Sequence, residues 1–227
     1  METPVAVELS GFVPVDQKLA LPRLPKLIWQ WRPAVLSRRG NRVEASGLGG
    51  SVVRLGTAFW GSSSDNVIRV GRNFSTRGVT VRVAGQGNRV EIGESVRFSG
   101  SIQVRGFGLT VRIGDRCDFK RSEIVAFFAD VEVGSDCLVA TGVQLRSGDF
   151  HTIIDRSSGS PVNSPQPVTI GSHVWLGARA TLLKGAHVPD GCVVGWGSIV
   201  TRRFEERDCV LVGSPARTVR RGISWSR

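Results

Sequence analysis

The sequence lacks closely spaced cysteine pairs, long hydrophobic runs and a basic leader. Its four cysteines include no CxxC pair, which argues against a zinc site, and we expect no metal. The longest apolar runs fall far short of the roughly 20 residues that a membrane-spanning helix needs. Residues 1–16 carry acidic side chains and no basic start of a secretory signal. These absences lead us to expect a cytoplasmic protein with free thiols.

Lysine is also scarce, so arginine supplies most of the net charge of +11. The lysines are Lys18, Lys26, Lys120 and Lys184. Arginine suits planar, bidentate contact with phosphate or carboxylate, although a basic surface can also serve solubility alone. The charge leaves open a polyanionic substrate, a phosphate-bearing cofactor, nucleic acid and a membrane surface. Because the sequence contains no recognised nucleic-acid motif, we do not expect nucleic acid as a partner.

Branched aliphatic residues recur at steps of six toward the C-terminus. They are Ile170, Leu176, Leu182, Val188, Val194 and Val200. A small or β-branched residue stands four places after each of the first five: Val174, Ala180, Ala186, Cys192 and Ser198. Three such units make one triangular coil of about 18 residues, and stacked coils form a parallel β-helix. We therefore predict an all-β fold in which the aliphatic side chains point inward.

The same unit occurs upstream at longer intervals. VGRNF, IGESV, IGDRC and VGSDC begin at steps of 22, 21 and 20 residues, at Val70, Ile92, Ile113 and Val133. Each follows an alternating segment that is typical of a strand. We predict that the β-helix spans residues 41–215. Residues 1–40, with Trp29 and Trp31, are expected to cap the first coil, and a membrane-surface role for them is a hypothesis. The basic tail, 216–227, is expected to form a short helix or strand.

The repeat breaks between two regular coils. Residues 148–167 are rich in Ser, Pro, Gly and Asp, which predicts a loop that leaves the β-helix and returns. Loops on a rigid scaffold often carry function, and this one contains His151. The other histidines, His173 and His187, occupy outward positions and are expected to be solvated surface residues. Three cysteines fall at the small inward position, where we expect them to fill the core: Cys117, Cys137 and Cys192.

Three segments within residues 146–221 resemble a known family. SGDFHTIID, VTIGSHVWLGARATLLKGAHVPDGCVVGWGSIVTR and VGSPARTVRR are similar to the hexapeptide-repeat acyltransferases, whose fold is a left-handed parallel β-helix. More narrowly, the chain resembles bacterial O-acetyltransferases of the maltose/galactoside, serine and capsule or polysialic acid types. The resemblance implies transfer of an acetyl group from acetyl-CoA to a hydroxyl of a sugar or an anionic surface polysaccharide. It also implies a homotrimer with active sites between subunits.

The resemblance assigns roles in this reaction. It makes His151 the general base that takes the proton of the acceptor hydroxyl. Asp149 or a backbone carbonyl would orient the imidazole. Trp175 would stand at the acceptor and catalytic centre, where its indole or a backbone N–H would stabilise the oxyanion. As an alternative, Trp175 only packs between subunits.

A second group of positions matches the family's acetyl-CoA site. Gly177 and Ala178 match a pair that contacts the pantetheine. Trp196 stands where the family usually has a small residue, which puts that contact in question. The remaining matches all lie near phosphates in the family, where basic groups are favoured: Thr201, Arg202, Arg217 and Arg220. Arg202 replaces a lysine of the family, and the alternative for the last two is a solvated basic tail.

Charge alone suggests where an acceptor would bind. Lys120, Arg121 and Arg146 lie on coils just before the loop, and they would steer an anionic polysaccharide toward it.

Three alternatives share this fold. A γ-type carbonic anhydrase uses three zinc-binding histidines, but the spacings of 22 and 14 residues here do not match its close pair and distant third. An acetyltransferase for a small molecule, such as an antibiotic, a free sugar or a nucleotide sugar, would keep the same histidine. A non-catalytic β-helix that binds a partner would need neither the loop histidine nor the basic tail.

Overall fold

The computed structural model describes residues 40–45, 53–57 and 63–227. The extension predicted to cap the first coil, with Trp29 and Trp31, lies outside the described residues except for Gly40. The regular structure of the described ranges consists of β-strands. None of these ranges contains a helix that is long and apolar enough to cross a membrane.

The chain forms twenty described strands, most of them short. The first ten are β1 (Arg42–Ala45), β2 (Val53–Thr57), β3 (Ser63–Ser64), β4 (Val67–Val70), β5 (Val79–Gln86), β6 (Arg89–Ile92), β7 (Arg97–Phe107), β8 (Thr110–Ile113), β9 (Asp118–Phe127) and β10 (Val131–Val133). The second ten are β11 (Leu138–Val139), β12 (Gln144–Arg146), β13 (Val168–Ile170), β14 (Trp175–Leu176), β15 (Thr181–Leu182), β16 (His187–Val188), β17 (Val193–Val194), β18 (Ile199–Val200), β19 (Val210–Gly213) and β20 (Ala216–Arg220).

The strands wind into a parallel solenoid. Seven of them, in the order β1-β4-β6-β8-β10-β13-β16, form one parallel sheet, so each turn contributes one strand to this face. The second sheet covers the other two faces, because β9 begins beside β11 and ends beside β12. Every strand pair except β19 and β20 is parallel. About seven turns are stacked in this way, which confirms the predicted all-β parallel β-helix.

The aliphatic residues of the repeat stack on one another along the inside of the solenoid. Ile92 pairs with Val70 on one side and with Ile113 on the other, and Val133 pairs with Ile113 and Ile170. The six aliphatic residues of the C-terminal repeat are all buried. Burial of such a side chain contributes about 1.5–3 kcal/mol to folding, so the inward column is the main source of stability.

All four cysteines are buried and free. Cys117, Cys137 and Cys192 fill inward positions, as the repeat predicts. The sequence pattern does not place Cys209, but the structure does. Its carbonyl accepts a hydrogen bond from the amide of Val193 in the coil above, so it continues the same core. Because burial penalises a thiolate, it raises the pKa of both Cys192 and Cys209.

Close approach of the coils explains the glycine that follows Leu176. A Cβ added at Gly177 would lie 2.8 Å from the amide nitrogen of Trp196 and 2.8 Å from the carbonyl oxygen of Val194. These atoms belong to the backbone of the next coil and cannot move independently. The corner therefore requires glycine here.

Three asparagines form a hydrogen-bonded column at one edge of the solenoid. The side-chain amide of Asn88 donates to Oδ1 of Asn66 at 3.0 Å, and that of Asn66 donates to Oδ1 of Asn41 at 2.9 Å. Asn88 is fully buried, yet it also donates to the carbonyl of Gly106 and accepts from the amide of Leu109. The column thus satisfies the backbone groups that the corner leaves without strand partners.

The C-terminal tail turns back along the outside of the coils. β20 runs antiparallel to β19, and the indole N–H of Trp225 then donates to the carbonyl of His173 at 2.9 Å. The two rings stack with centroids 4.2 Å apart and planes 5° from parallel. His173 is exposed as expected, but it is also the docking point of the tail. His187 is half-buried, with its Nδ1 2.8 Å from the Thr169 hydroxyl, and burial lowers its pKa.

Candidate active site

The break in the repeat is a loop of residues 147–167 between β12 and β13. Its base is closed by Ser147, which is fully buried. The Ser147 hydroxyl donates to the carbonyl of Ala129 at 2.7 Å and accepts from the amide of Phe127 at 2.9 Å. Its carbonyl accepts from the amide of Gln166 at the far end of the loop. The loop therefore leaves and rejoins the solenoid at a fixed point.

Asn163 holds the two sides of the loop together. Its side-chain amide donates to Oδ2 of Asp149 at 2.8 Å and to the carbonyl of His151 at 2.9 Å. Its Oδ1 accepts from the amide of Ile153 at 2.7 Å. The backbone around His151 is thus fixed by a single side chain from the opposite side, which the sequence pattern did not reveal.

Asp149 faces a lysine of the next coil instead of the histidine. Its Oδ2 lies 2.6 Å from Nζ of Lys184, and this hydrogen bond, followed by that from Asn163, lowers the pKa of the carboxyl. The carboxylate of Asp149 is bonded to Lys184 and Asn163, and no contact joins it to the imidazole of His151. The prediction that Asp149 orients this ring therefore finds no support in the arrangement. Asp149 instead anchors the loop to the solenoid.

The side chain of His151 is exposed and unengaged. The structure shows no hydrogen bond, ion pair or ring contact between its imidazole and any other described residue. Both ring nitrogens are therefore available to an incoming group, while the carbonyl of the same residue is held by Asn163. A fixed backbone with a free imidazole suits proton transfer to or from a bound molecule.

Trp175 lies on another face of the same chain. It begins β14, one corner beyond the strand β13 that follows the loop, and its amide donates a hydrogen bond to the carbonyl of Cys192. Its side chain is 39% exposed, and its ring centroid lies 6.2 Å from that of Trp225. Within one chain, the described residues bring Trp175 into no contact with His151.

The positions that match the pantetheine site lie together on one edge. The amide of Gly177 donates to the carbonyl of Val194, whereas the amide of Ala178 has no acceptor among the described residues and is free for a ligand. Trp196, in the next coil, is 72% exposed. The guanidinium of Arg179 lies 5.8 Å from its ring centroid. Trp196 therefore presents an exposed ring, with Arg179 over one of its faces, on the coil next to the free amide of Ala178.

The four positions that match the family's phosphate contacts are exposed, but they lie on two different parts of the solenoid. Thr201 and Arg202 follow β18 on the edge that carries the loop. Arg217 and Arg220 project from β20, opposite Val212 and Val210. Val212 lies beside Gly195 and pairs with Arg217, so Arg217 is on the outer strand, one strand beyond the corner that carries Trp196. Thr201 and Arg202 lie instead at the edge that carries the loop.

The three basic residues assigned to the acceptor are also divided. Lys120 and Arg121 line a groove of about 1190 Å³, together with Arg77 and Arg97. Arg146 lies on β12, the strand that pairs with the end of β9, and is 3.6 Å from the carboxylate of Glu123. The groove is also lined by Asp118, which pairs with Arg97 at 2.8 Å, and by Glu123, so the basic residues exceed the acidic ones by two. This excess of positive charge would attract an anion.

The described residues hold no group of three or more His, Cys, Asp or Glu side chains placed to bind a metal ion.

Breaking the loop anchor should loosen the loop. Lys184→Met removes the partner of Asp149, and we expect trypsin to cleave after the exposed Arg156 about two- to fivefold faster, as suits one partly exposed ion pair. The measurement is the rate of appearance of the cleaved fragment by mass spectrometry. Lys120→Met, which removes the other described lysine, should leave this rate unchanged. Equal rates for the two variants would mean that Asp149 and Lys184 do not hold the loop.

The sequence of this chain is similar to those of known acetyltransferases. A family model described as the hexapeptide repeat of succinyl-transferase matches residues 167–202. The polysialic acid O-acetyltransferase of Neisseria meningitidis is 30% identical over 197 residues, which cover 76% of this chain and 92% of that protein. The polysialic acid O-acetyltransferase of Escherichia coli O1:K1 is 34% identical over 139 residues, 61% of this chain and 45% of that longer protein.

The fold of this chain also superposes on solved structures of polysialic acid O-acetyltransferases. The polysialic acid O-acetyltransferase OatWY superposes with a TM-score of 0.70 at 26% identity, covering 82% of this chain and 91% of its own. The polysialic-acid-specific acetyltransferase NeuO superposes with a TM-score of 0.61 at 30% identity, covering 83% of this chain and 89% of its own. These neighbours are left-handed β-helices, which confirms the predicted hand of the solenoid.

Proposed function

Because the chain belongs to the hexapeptide-repeat acetyltransferases, we propose that it is an acetyl-CoA-dependent O-acetyltransferase that acts on an anionic bacterial surface polysaccharide. The observation that carries this proposal is the loop, which fixes the backbone of His151 and leaves its imidazole free. Two observations support an anionic polysaccharide as the acceptor. The relatives include polysialic acid O-acetyltransferases, and this chain carries a net charge of +11.

His151 is the general base in this proposal. A sugar hydroxyl ionises far above neutral pH, so its oxygen becomes an effective nucleophile only as its proton is removed. The imidazole takes this proton while the new O–C bond forms. It then returns the proton to the sulfur that leaves as the C–S bond breaks, so the products are an acetyl ester and a thiol. When bound, acetyl-CoA supplies the activated carbonyl carbon that is attacked.

The residues of the chain fit a donor of this kind. The free amide of Ala178 and the exposed ring of Trp196 lie on adjacent coils at the same edge, which suits a polar, extended ligand. Arg217 is exposed on the outer strand β20, opposite Val212, and would offer a cation to a phosphate. The indole N–H of Trp175 is the side-chain donor that we assign to the negative charge on the carbonyl oxygen.

A complete site requires a second subunit. His151 lies on one edge of the solenoid, whereas Trp175, Ala178 and Trp196 lie on other faces of the same chain. A neighbouring copy that presents its loop to these faces would bring the groups together. We therefore propose a homotrimer with sites between subunits, in which threefold symmetry repeats the same contact three times.

The reaction is placed in the cytoplasm in this proposal. The four unpaired cysteines support a reducing compartment, and a basic surface would allow weak contact with an anionic membrane face. A non-catalytic binding protein would have no use for the free imidazole of His151. Failure of the chain to bind acetyl-CoA would nevertheless support a non-catalytic role.

An acceptor screen tests the proposal. We expect free thiol to be released from acetyl-CoA when polysialic acid is added, and much less with a neutral glucan, an aminoglycoside antibiotic or a nucleotide sugar. Because the contact is partly between opposite charges, raising the salt from 50 to 500 mM should increase KM for the polymer by about tenfold. Salt-insensitive activity on the polymer would contradict the steering role of the basic groove. Activity confined to a small molecule would replace the polysaccharide by that acceptor.

A further inference from the structure

Four phenylalanines form a row on the edge of the solenoid beside the loop. They are Phe107, Phe128, Phe127 and Phe150, and their successive ring centroids lie 6.5, 4.8 and 5.1 Å apart. Phe107 is 71% exposed, and Phe128 and Phe150 are about half-exposed. The row ends at Phe150, immediately before His151 in the chain. Contiguous exposed aromatic rings are rare on a protein surface unless they contact something.

The backbone of Phe128 is unfavourable for a bulky residue. Its φ is +51°, in the left-handed region that a side chain with a Cβ disfavours. The two preceding coils place glycines with positive φ at this corner, Gly87 at +70° and Gly108 at +65°. The fold itself therefore favours glycine at this position. Nine other described non-glycine residues also have positive φ, but Phe128 is the one apolar side chain among them. A large apolar ring kept in this conformation at an exposed corner points to a role for the ring.

Two arginines lie over the rings. The guanidinium of Arg105 is 5.5 Å from the centroid of Phe127, and that of Arg146 is 5.5 Å from the centroid of Phe150. A pyranose ring packs its C–H groups on an aromatic face, and a guanidinium binds a carboxylate with paired hydrogen bonds. Glu123 lies 3.6 Å from Arg146 and offsets part of its positive charge. The combination of flat rings and guanidinium groups matches a sugar acid.

We propose that these six residues, the Phe–Arg ridge, bind the part of an anionic glycan chain that flanks the residue being acetylated. This subsite rests on the proposed function, because it deepens the identity of the acceptor. A second copy of this chain would be the alternative occupant. Charge complementarity favours the glycan, because another chain of net charge +11 brings positive charge to a surface that already carries Arg105 and Arg146.

The test measures binding without turnover. In a His151→Ala background, calorimetry gives Kd for polysialic acid. Adding Phe128→Gly should raise this Kd about tenfold, as expected for loss of a stacking ring, while the thermal midpoint stays equal or rises because the strain is relieved. Phe107→Tyr, which keeps an aromatic face, should retain the affinity. Phe107→Leu, which keeps only apolar bulk, should weaken it.

Arg146→Gln should also weaken binding, whereas Arg112→Gln, a matched charge removal on the first sheet, should not. An unchanged Kd for both Phe128→Gly and Phe107→Leu would overturn the ridge. A loss of oligomer mass by light scattering in these variants would also overturn it, because the ridge would then be a subunit contact. Failure of the unaltered protein to acetylate any glycan would instead remove the proposed function, and it is read in a separate thiol-release assay.

Discussion

Replacing His151 by alanine should lower kcat for acetyl transfer by about 100- to 10,000-fold, the usual contribution of a positioned general base. The reason is that the structure leaves this imidazole as the free side chain of an otherwise fixed loop. The variant should still bind acetyl-CoA, because the donor contacts proposed above are made by Ala178, Trp196 and Arg217 and not by the imidazole. The measurement is thiol release at saturating donor and acceptor, with donor affinity determined separately.

A matched histidine provides the control. His187→Ala removes a half-buried ring that contacts Thr169 on another part of the solenoid, and it should change kcat by less than about threefold. Full activity of His151→Ala on the acceptor would exclude it as the base.

Mixing inactive variants tests whether the site lies between subunits. His151→Ala and Trp175→Ala should each be inactive alone. After joint unfolding and refolding, some mixed trimers would place an intact His151 beside an intact Trp175, so a fraction of the activity should return. No recovery, with normal trimer mass, would show that both residues act within one chain or that Trp175 is not required.

Loop anchoring should not vary across the physiological pH range. Lys184 lowers the pKa of Asp149 below the ordinary carboxyl value of about 3.9. The stabilisation is therefore fully present above that value and is lost only as the pH falls through the lowered pKa. A change in activity between pH 5 and 8 would thus report a group other than Asp149.

The largest effect on stability is expected at Asn88. Asn88→Ala removes the side chain that serves the carbonyl of Gly106 and the amide of Leu109, and it also breaks the contact with Asn66. Because these groups are buried and would lack partners, the free energy of unfolding should fall by about 2–4 kcal/mol. Denaturant titration of Asn88→Ala and of the unaltered chain measures this loss.

Gln86→Ala is the matched control for Asn88. Gln86 lies two residues earlier and is exposed, with its amide 3.1 Å from the carboxylate of Asp65. Its loss should change the free energy of unfolding by less than about 0.5 kcal/mol. Equal effects at the two positions would mean that the asparagine column does not support the corner.

The sequence predicted the coil, and the structure shows why it could. The hexapeptide aliphatics from Ile170 to Val200 are buried at the expected positions, since every coil repeats one backbone geometry and the inward position recurs at a fixed interval. The asparagine column was missed, although Asn66 and Asn88 precede equivalent strands. Its sequence signal was the asparagine before three of the alternating segments, at Asn41, Asn66 and Asn88. The repeat of the aliphatic residues does not include these positions.

By itself, the sequence determined the period of the solenoid, its inward column and the point where a loop leaves it, because these depend on local patterns that repeat. Only the tertiary structure decided that Asp149 pairs with Lys184, that Trp225 stacks on His173 and that four phenylalanines align beside the loop. The physical reason is that these contacts join residues on different coils or edges. Their meeting depends on the corner geometry and the path of the tail, about which a six-residue period carries no information.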